Sequence, residues 1–252
     1  MITASFPKAG LVLQNNLLLA MKPADFALLQ PHLQALRLER DKVLYEPGDE
    51  VRHVYFPLDP TLIAFRVVLE DGRAVETALV GREGAICGVV SQGRLPSYSR
   101  SVVLHEGPAV RVGVEQLEAA KLKSLSIRHL FARYSDCVMA QVFQSVACNA
   151  THSVEQRAAK WLVAATERIS DNRVPLTQEQ FAVMLGVGRS YVSRVVGAFR
   201  ERGLVTGERG AILVLDLDGL REAACQCQES VRRHFDEVLK GVYPDSLVDE
   251  AS

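Results

Sequence analysis

Hydrophobic and polar positions recur along this chain in more than one rhythm. From about Leu13 to Leu38 the apolar residues follow helical spacing, with Pro23 placed to open a second helix and Pro31 to break it. From Arg37 to about Gly113 the period shortens toward two, in runs such as HVYFPLD, LIAFRVVLE, RAVETALV and SVVLHEGPAVRVG. Turn residues separate them: Pro47-Gly48, and Asp71-Gly72 between two of the most regular runs, a hairpin signature. Short strands at this spacing predict an antiparallel β-roll, jelly-roll-like in its connections.

Near Val114 the period lengthens to that of a helix. Ile127, Phe131, Tyr134, Val138, Val142 and Val146 make one apolar stripe. A long helix can lay such a stripe on its own roll or on a twin helix. The symmetric seam is the favoured reading, which makes Ile127, Phe131, Tyr134, Val138 and Val142 the expected dimer interface. A further helix is predicted over SVEQRAAKWLVAATERIS, and the tail is helical in pattern from Cys225 to about Tyr243. The expected organisation is α+β: a roll with N-terminal helices over 1–118, a dimerisation helix over 119–150, a further domain over 151–222 and a helical extension over 223–252.

The segment LTQEQFAVMLGVGRSYVSRVVGAFRERGLV carries the chemistry. Thr177 precedes Gln180 at the spacing of a capping box, and Phe181, Met184 and Leu185 give a short helix its apolar face. Gly186 allows a sharp turn. On a wheel of about 100° per residue, Val192, Val195, Val196 and Phe199 share one arc while Ser190, Ser193, Arg194 and Gly197 lie opposite. Arg189 lies near the edge of that arc, in the first turn, where its long side chain can swing outward. A face both small and cationic suits a major groove, where arginine can bond the O6 and N7 of guanine. A merely solvated face would carry Glu–Lys pairs, and Ser and Gly weaken a helix. LVTGERGAILVLD reads as a wing with Arg209 at its tip. Arg189, Ser190, Ser193 and Arg194 are therefore expected on bases, and Thr177, Gln178 and Arg209 on phosphates.

Composition changes the picture only locally. The 252 residues are 48% hydrophobic and 23% charged with a net charge of −1, an ordinary globular balance. Between Arg157 and Gly210, however, nine Lys/Arg face five Asp/Glu, whereas from Ala211 onward four face nine. The helix-turn-helix stretch is basic within a neutral chain, as a DNA footprint requires. No charged-then-apolar leader opens the chain and Leu17–Met21 is too short to span a bilayer, so a cytoplasmic protein with no membrane partner is expected. The five cysteines are scattered apart from Cys225-x-Cys227, a spacing that suggests neither a disulfide framework nor a zinc site, and no metal is expected. Cys137 and Cys148 leave a thiol-based redox role open.

Roll, long helix and winged helix in this order resemble the Crp/Fnr family of bacterial transcription regulators. The helix-turn-helix segment, EPGD, VYFP and the glycines Gly81, Gly84 and Gly88 carry the likeness. The resemblance implies a cyclic-nucleotide-binding-domain fold, a homodimer on a palindromic double-stranded DNA site, contact with RNA polymerase, and an effector held in the roll. Many members read Arg-Glu-Thr-Val-(Gly or Ser)-Arg at the recognition helix; here it is Arg189-Ser190-Tyr191-Val192-Ser193-Arg194. Ser190 in place of the glutamate implies a half-site unlike TGTGA or TTGAT, or one read less stringently. In the family's effector pocket a Gly-Glu pair and an Arg-(Ser/Thr) pair hold ribose and phosphate. Gly88, Arg100 and Ser101 match, but Val89 stands where the carboxylate belongs. A valine accepts no hydrogen bond, which argues against standard cAMP sensing and leaves another cyclic nucleotide or cyclic dinucleotide open as the effector.

Other classes find less support. No cysteine precedes Cys87, which excludes the family's N-terminal iron–sulfur sensor, and His53, His105 and Cys87 show no haem-specific spacing. The six histidines lack the His-x-His spacing of a cupin metal site, and there is no Walker loop or nucleophile elbow, so an enzyme is not expected. The alternative to a DNA reader is an effector-binding regulatory module acting through protein partners. Such a face would be expected to expose aromatics or leucines.

Overall fold

A computed structural model describes residues 14–72, 74–87, 95–169 and 171–240. Two short helices lead in, α1 (Asn16–Leu19) and α2 (Pro23–Leu29). Asn15 anchors them: its Oδ1 accepts from the amides of Leu17 and Leu18, and its Nδ2 donates to the carbonyls of Pro57 and Gly84. The helical pattern expected as far as Leu38 stops early. Pro31 ends it, and Gln34–Leu38 is a strand, β1, because its amides and carbonyls find an antiparallel partner across the roll.

The roll is two facing antiparallel sheets. One has the order β1–β7–β3, with β3 His53–Pro57 and β7 Gly107–Gly113. The other runs β2–β6–β4–β5, with β2 Val43–Tyr45, β4 Leu62–Val68, β5 Ala74–Val80 and β6 Arg100–His105. The Asp71-Gly72 pair does turn β4 into β5, with Gly72 at φ 80°. Between the sheets lie Leu38, Val54, Phe56, Ile63, Val103 and Val110, all buried.

Helices α3 (Val114–Lys123) and α4 (Leu125–Thr151) follow, separated at Ser124, whose side chain caps α4 by accepting from the Ile127 amide. The apolar stripe of α4 is divided in use. Ile127, Phe131 and Tyr134, expected at a dimer seam, are buried in the core of their own roll, and Val138 packs partly against it. Periodicity marks an apolar face without naming what covers it, and here the roll covers it first. Tyr134 is pinned there, its hydroxyl accepting from the Ala85 amide and donating to the Ala85 carbonyl. A Cβ on Gly84 would run into that hydroxyl, which accounts for the glycine. Further along, Met139 (49% exposed), Phe143 (66%) and Val146 (66%) point away from the chain, and Val142 is half-buried.

The C-terminal unit comprises α5 (Val154–Ile169), β8 (Arg173–Val174), α6 (Gln178–Leu185), α7 (Arg189–Glu201), the β9–β10 hairpin (Val205–Glu208, Ala211–Val214) and α8 (Leu217–Ala223). Helix α9 (Cys227–Val238) then returns to pack along α4. The core of this unit is continuous with the roll: Leu62, Ala64, Leu79, Val102 and Leu104 from the outer face of the second sheet join Trp161, Leu162, Phe181 and Phe199 in one apolar cluster. Among the described residues no helix is long and apolar enough to cross a membrane.

Candidate nucleic-acid interface

Helix α6 starts where the capping box predicts. Gln180 donates its amide to Thr177 Oγ1, and Gln180 Oε1 accepts from the Thr177 amide. It ends at Gly186, left-handed at φ 67°, with the Gly186 and Val187 amides folded back onto α6 carbonyls. Arg157 of α5 donates to the last carbonyl, that of Leu185, at 2.6 Å. The turn is therefore short because both its ends are hydrogen-bonded, and Gly188 caps α7 directly after it.

Helix α7 sorts its faces as the wheel requires. Val192, Val195, Val196 and Phe199 are buried, while Arg189, Ser190, Ser193 and Arg194 are all exposed. Gly197 has nothing within 4 Å of where a Cβ would stand, so packing does not require a glycine there. Arg189 lies 3.7 Å from Glu179 of α6, and with both side chains largely open to solvent the pair contributes little. Tyr191 joins this surface although the wheel does not single it out. It is 43% exposed, and the Arg194 guanidinium stacks over its ring at 5.0 Å from the centroid. Its place three residues before Arg194 is the available signal, since such pairs meet on a helix. Stacking holds the arginine fork in one plane, which suits bidentate bonding to a base.

The remaining expected residues frame α7. Thr177 and Gln178 are half-buried at the start of α6, and Arg209 is exposed at the wing turn between β9 and β10, beside Gly210 at φ 74°. Both of these flanking elements touch the roll. Arg40 donates to Gln180 Oε1 at 2.9 Å and to the Gly210 carbonyl at 3.4 Å, and Gln180 Nε2 donates to Asp41. Two more polar links cross the joint. Arg168 of α5 bonds Glu83 at 2.8 Å, and Trp161 Nε1 donates to Glu76 Oε1. Glu76 is half-buried with its carboxyl turned inward, and this desolvation pushes the carboxyl up to about 7; its other oxygen is buried with no partner among the described residues.

The expected effector residues are differently employed. Arg100 forms an ion pair with Glu46 of the EPGD turn at 2.8 Å, and Ser101 is buried with its Oγ 3.4 Å from Cys87 Sγ. Burial raises the Cys87 thiol to about 11. Gly88 lies outside the described residues. Cys137 and Cys148 face different surroundings. Cys137 is buried in α4 with its thiol raised to about 12, whereas Cys148 meets Cys225 at 3.6 Å. Two residues eleven positions apart on one helix stand about 16 Å apart along its axis, so they cannot bridge within a chain. The fold brings Cys148, Cys225 and Cys227, distant in the sequence, together with His152.

A tight two-helix turn, an exposed cationic recognition face and a β-wing define a winged helix-turn-helix DNA-binding protein. Residues 156–223 match the family model of the Crp-like helix-turn-helix domain. The whole architecture is similar to that of FixK2 from Bradyrhizobium japonicum, with a TM-score of 0.65 and 14% identity over 77% of this chain and 98% of that one. It is also similar to TTHB099, a CRP-family transcriptional regulator from Thermus thermophilus (0.63, 23%, 75% and 96%). A third likeness is to CLP of Xanthomonas campestris, a c-di-GMP responsive global regulator (0.62, 13%, 77% and 99%). No curated protein sequence matches the chain. The chain has the fold shared by these Crp/Fnr regulators, and it carries a Crp-like helix-turn-helix domain.

Proposed function

We propose that the protein acts in the cytoplasm as a homodimer, placing one α7 from each protomer into successive major grooves of a palindromic promoter site. The observation that carries this reading is the outward face of α7: Arg189, Ser190, Ser193 and Arg194 exposed over a fully formed apolar core. Arg189 and Arg194 read bases, with Arg194 held by Tyr191. Ser190 and Ser193 leave room for close approach, while Thr177, Gln178 and Arg209 hold the flanking phosphates. The dimer seam uses the part of α4 that its own roll leaves uncovered, Met139, Phe143 and Val146, with RNA polymerase as the further partner at the promoter.

An effector in the roll is not the standard cAMP. Arg100 is already neutralised by Glu46, and Val89 supplies no acceptor for a ribose hydroxyl. A cyclic dinucleotide, the ligand class to which CLP responds, is the leading candidate. Selection of bound duplexes from a random pool by the purified, ligand-free protein tests the reading. Recovery of a palindrome with half-sites about one helical turn apart is the expected result. A motif that emerges only with cAMP, cGMP or c-di-GMP names the effector. Silence under all conditions would overturn DNA reading in favour of a module acting through protein partners.

A further inference from the structure

At the joint between α4 and α5 four side chains distant in sequence converge. Cys148 lies in the last turn of α4, His152 ends that helix, and Cys225 and Cys227 flank the turn that opens α9. Each offers one ligand atom, and these four atoms all lie within 4.8 Å of one another. Cys148 Sγ is 3.6 Å from Cys225 Sγ, and Cys227 Sγ is 3.5 Å from His152 Nδ1. In a tetrahedral site with zinc–sulfur bonds of about 2.3 Å and zinc–nitrogen bonds of about 2.0 Å, neighbouring ligands stand roughly 3.5–3.8 Å apart. Both separations are already those of ligands around one ion.

Ordinary burial of thiols does not account for the cluster. Cys148, Cys225 and Cys227 are 0%, 7% and 3% exposed, yet they form a buried group of their own, joined to neither aliphatic core. Their polar neighbours suit thiolates. The Lys160 ammonium donates to Cys148 Sγ at 3.4 Å, and the Gln144 amide donates to Cys227 Sγ at 3.1 Å. Three thiolates around a dication leave one net negative charge, which Lys160 offsets, and such outer donors orient and tune metal ligands. Cys227 is also the first residue of a 12-residue helix, at its positive end.

We propose that Cys148, His152, Cys225 and Cys227 form a site for a single zinc ion. Soft sulfur and imidazole ligands select zinc over magnesium or calcium, and four protein ligands close the shell as in structural rather than catalytic sites. Atoms this close leave no room for the several irons and sulfides of a cluster. The ion ties the end of α4 and the α4–α5 joint to the start of α9, and so fixes the helices from which the DNA-binding unit departs. On binding, the ligating thiols release their protons to solvent.

Metal analysis of the full chain, purified under reductant without added metal, tests this independently of any DNA. About one zinc per chain is expected, with chelation lowering the unfolding temperature. Cobalt titrated into the stripped chain should give the thiolate-to-cobalt charge-transfer band and the strong visible bands of a tetrahedral site, both abolished by zinc. Cys225→Ser with Cys227→Ser should lose metal and bands, whereas Cys87→Ser should keep both. Should the double variant fail to fold, cobalt binding to the unaltered chain still decides. A reduced chain that takes up neither zinc nor cobalt, or one that carries stoichiometric iron and sulfide, overturns the site. So does a Cys148–Cys225 disulfide in protein isolated with its thiols blocked.

Discussion

At the scale of single residues, the proposed recognition face divides into side chains expected to select and side chains expected to hold. Arg194 is exposed, stacked on Tyr191 and aimed outward from the middle of α7, whereas Arg209 sits on a wing turn beside the expected backbone. Arg194→Ala should cost about 1–3 kcal/mol on the preferred site and relax selectivity at one base pair; competition binding against single-base variants measures it. Equal weakening on every duplex would reassign Arg194 to phosphate. Arg209→Ala should weaken all duplexes alike and lower the slope of log affinity against log salt by about one, and an unchanged slope would remove it from the interface. The exposed face of α7 is legible in the sequence because helix periodicity places side chains on faces without knowledge of the fold. The cluster of Cys148, His152, Cys225 and Cys227 is not, since its two halves lie more than seventy residues apart and only the return of α9 along α4 joins them.

At the scale of elements, the informative contact is between α5 and β5. Trp161, the one tryptophan of the chain, donates to Glu76, whose carboxyl burial has raised from 4.5 to about 7. An acid with a raised pKa binds its proton more tightly in the folded joint. Stability is therefore highest below about pH 4.5 with respect to this group, falls as pH rises toward 7, and stays reduced above it. Glu76→Gln keeps an acceptor for the indole but cannot ionise. It should raise the unfolding temperature at pH 8 and flatten its difference from pH 5.5, read by tryptophan fluorescence; an unchanged pH dependence would clear Glu76. Most elements are visible in the chain's periodicity, the Asp71-Gly72 hairpin and the Thr177–Gln180 cap among them. β1 hides inside a helical pattern because its pairing with β7 spans the whole roll. The α4 stripe favours a twin helix when read alone, yet its first half is covered by the roll, because an apolar face does not reveal which surface arrives first.

At the scale of the whole molecule, the roll covers the first half of α4 and leaves Met139, Phe143 and Val146 exposed, the face proposed as the dimer seam. Phe143→Asp should give a folded monomer by sedimentation with a large loss of affinity for a palindrome, because two linked half-sites bind far more tightly than one. A persistent dimer would move the seam elsewhere. The joint between the units is a shared apolar core rather than a tether, and its polar edge is held by Arg40, which grips Gln180 at the start of α6 and the Gly210 carbonyl in the wing at once. None of the side chains expected on bases is among its partners. That placement separates volume from tuning. Loosening the grip alters the share of molecules whose reading head is free, so it multiplies affinity for every duplex by one factor and leaves their ranking intact. Arg40→Ala should accordingly return the same motif from a random pool at a different overall affinity, and a changed motif would show that the roll also has a hand in the reading.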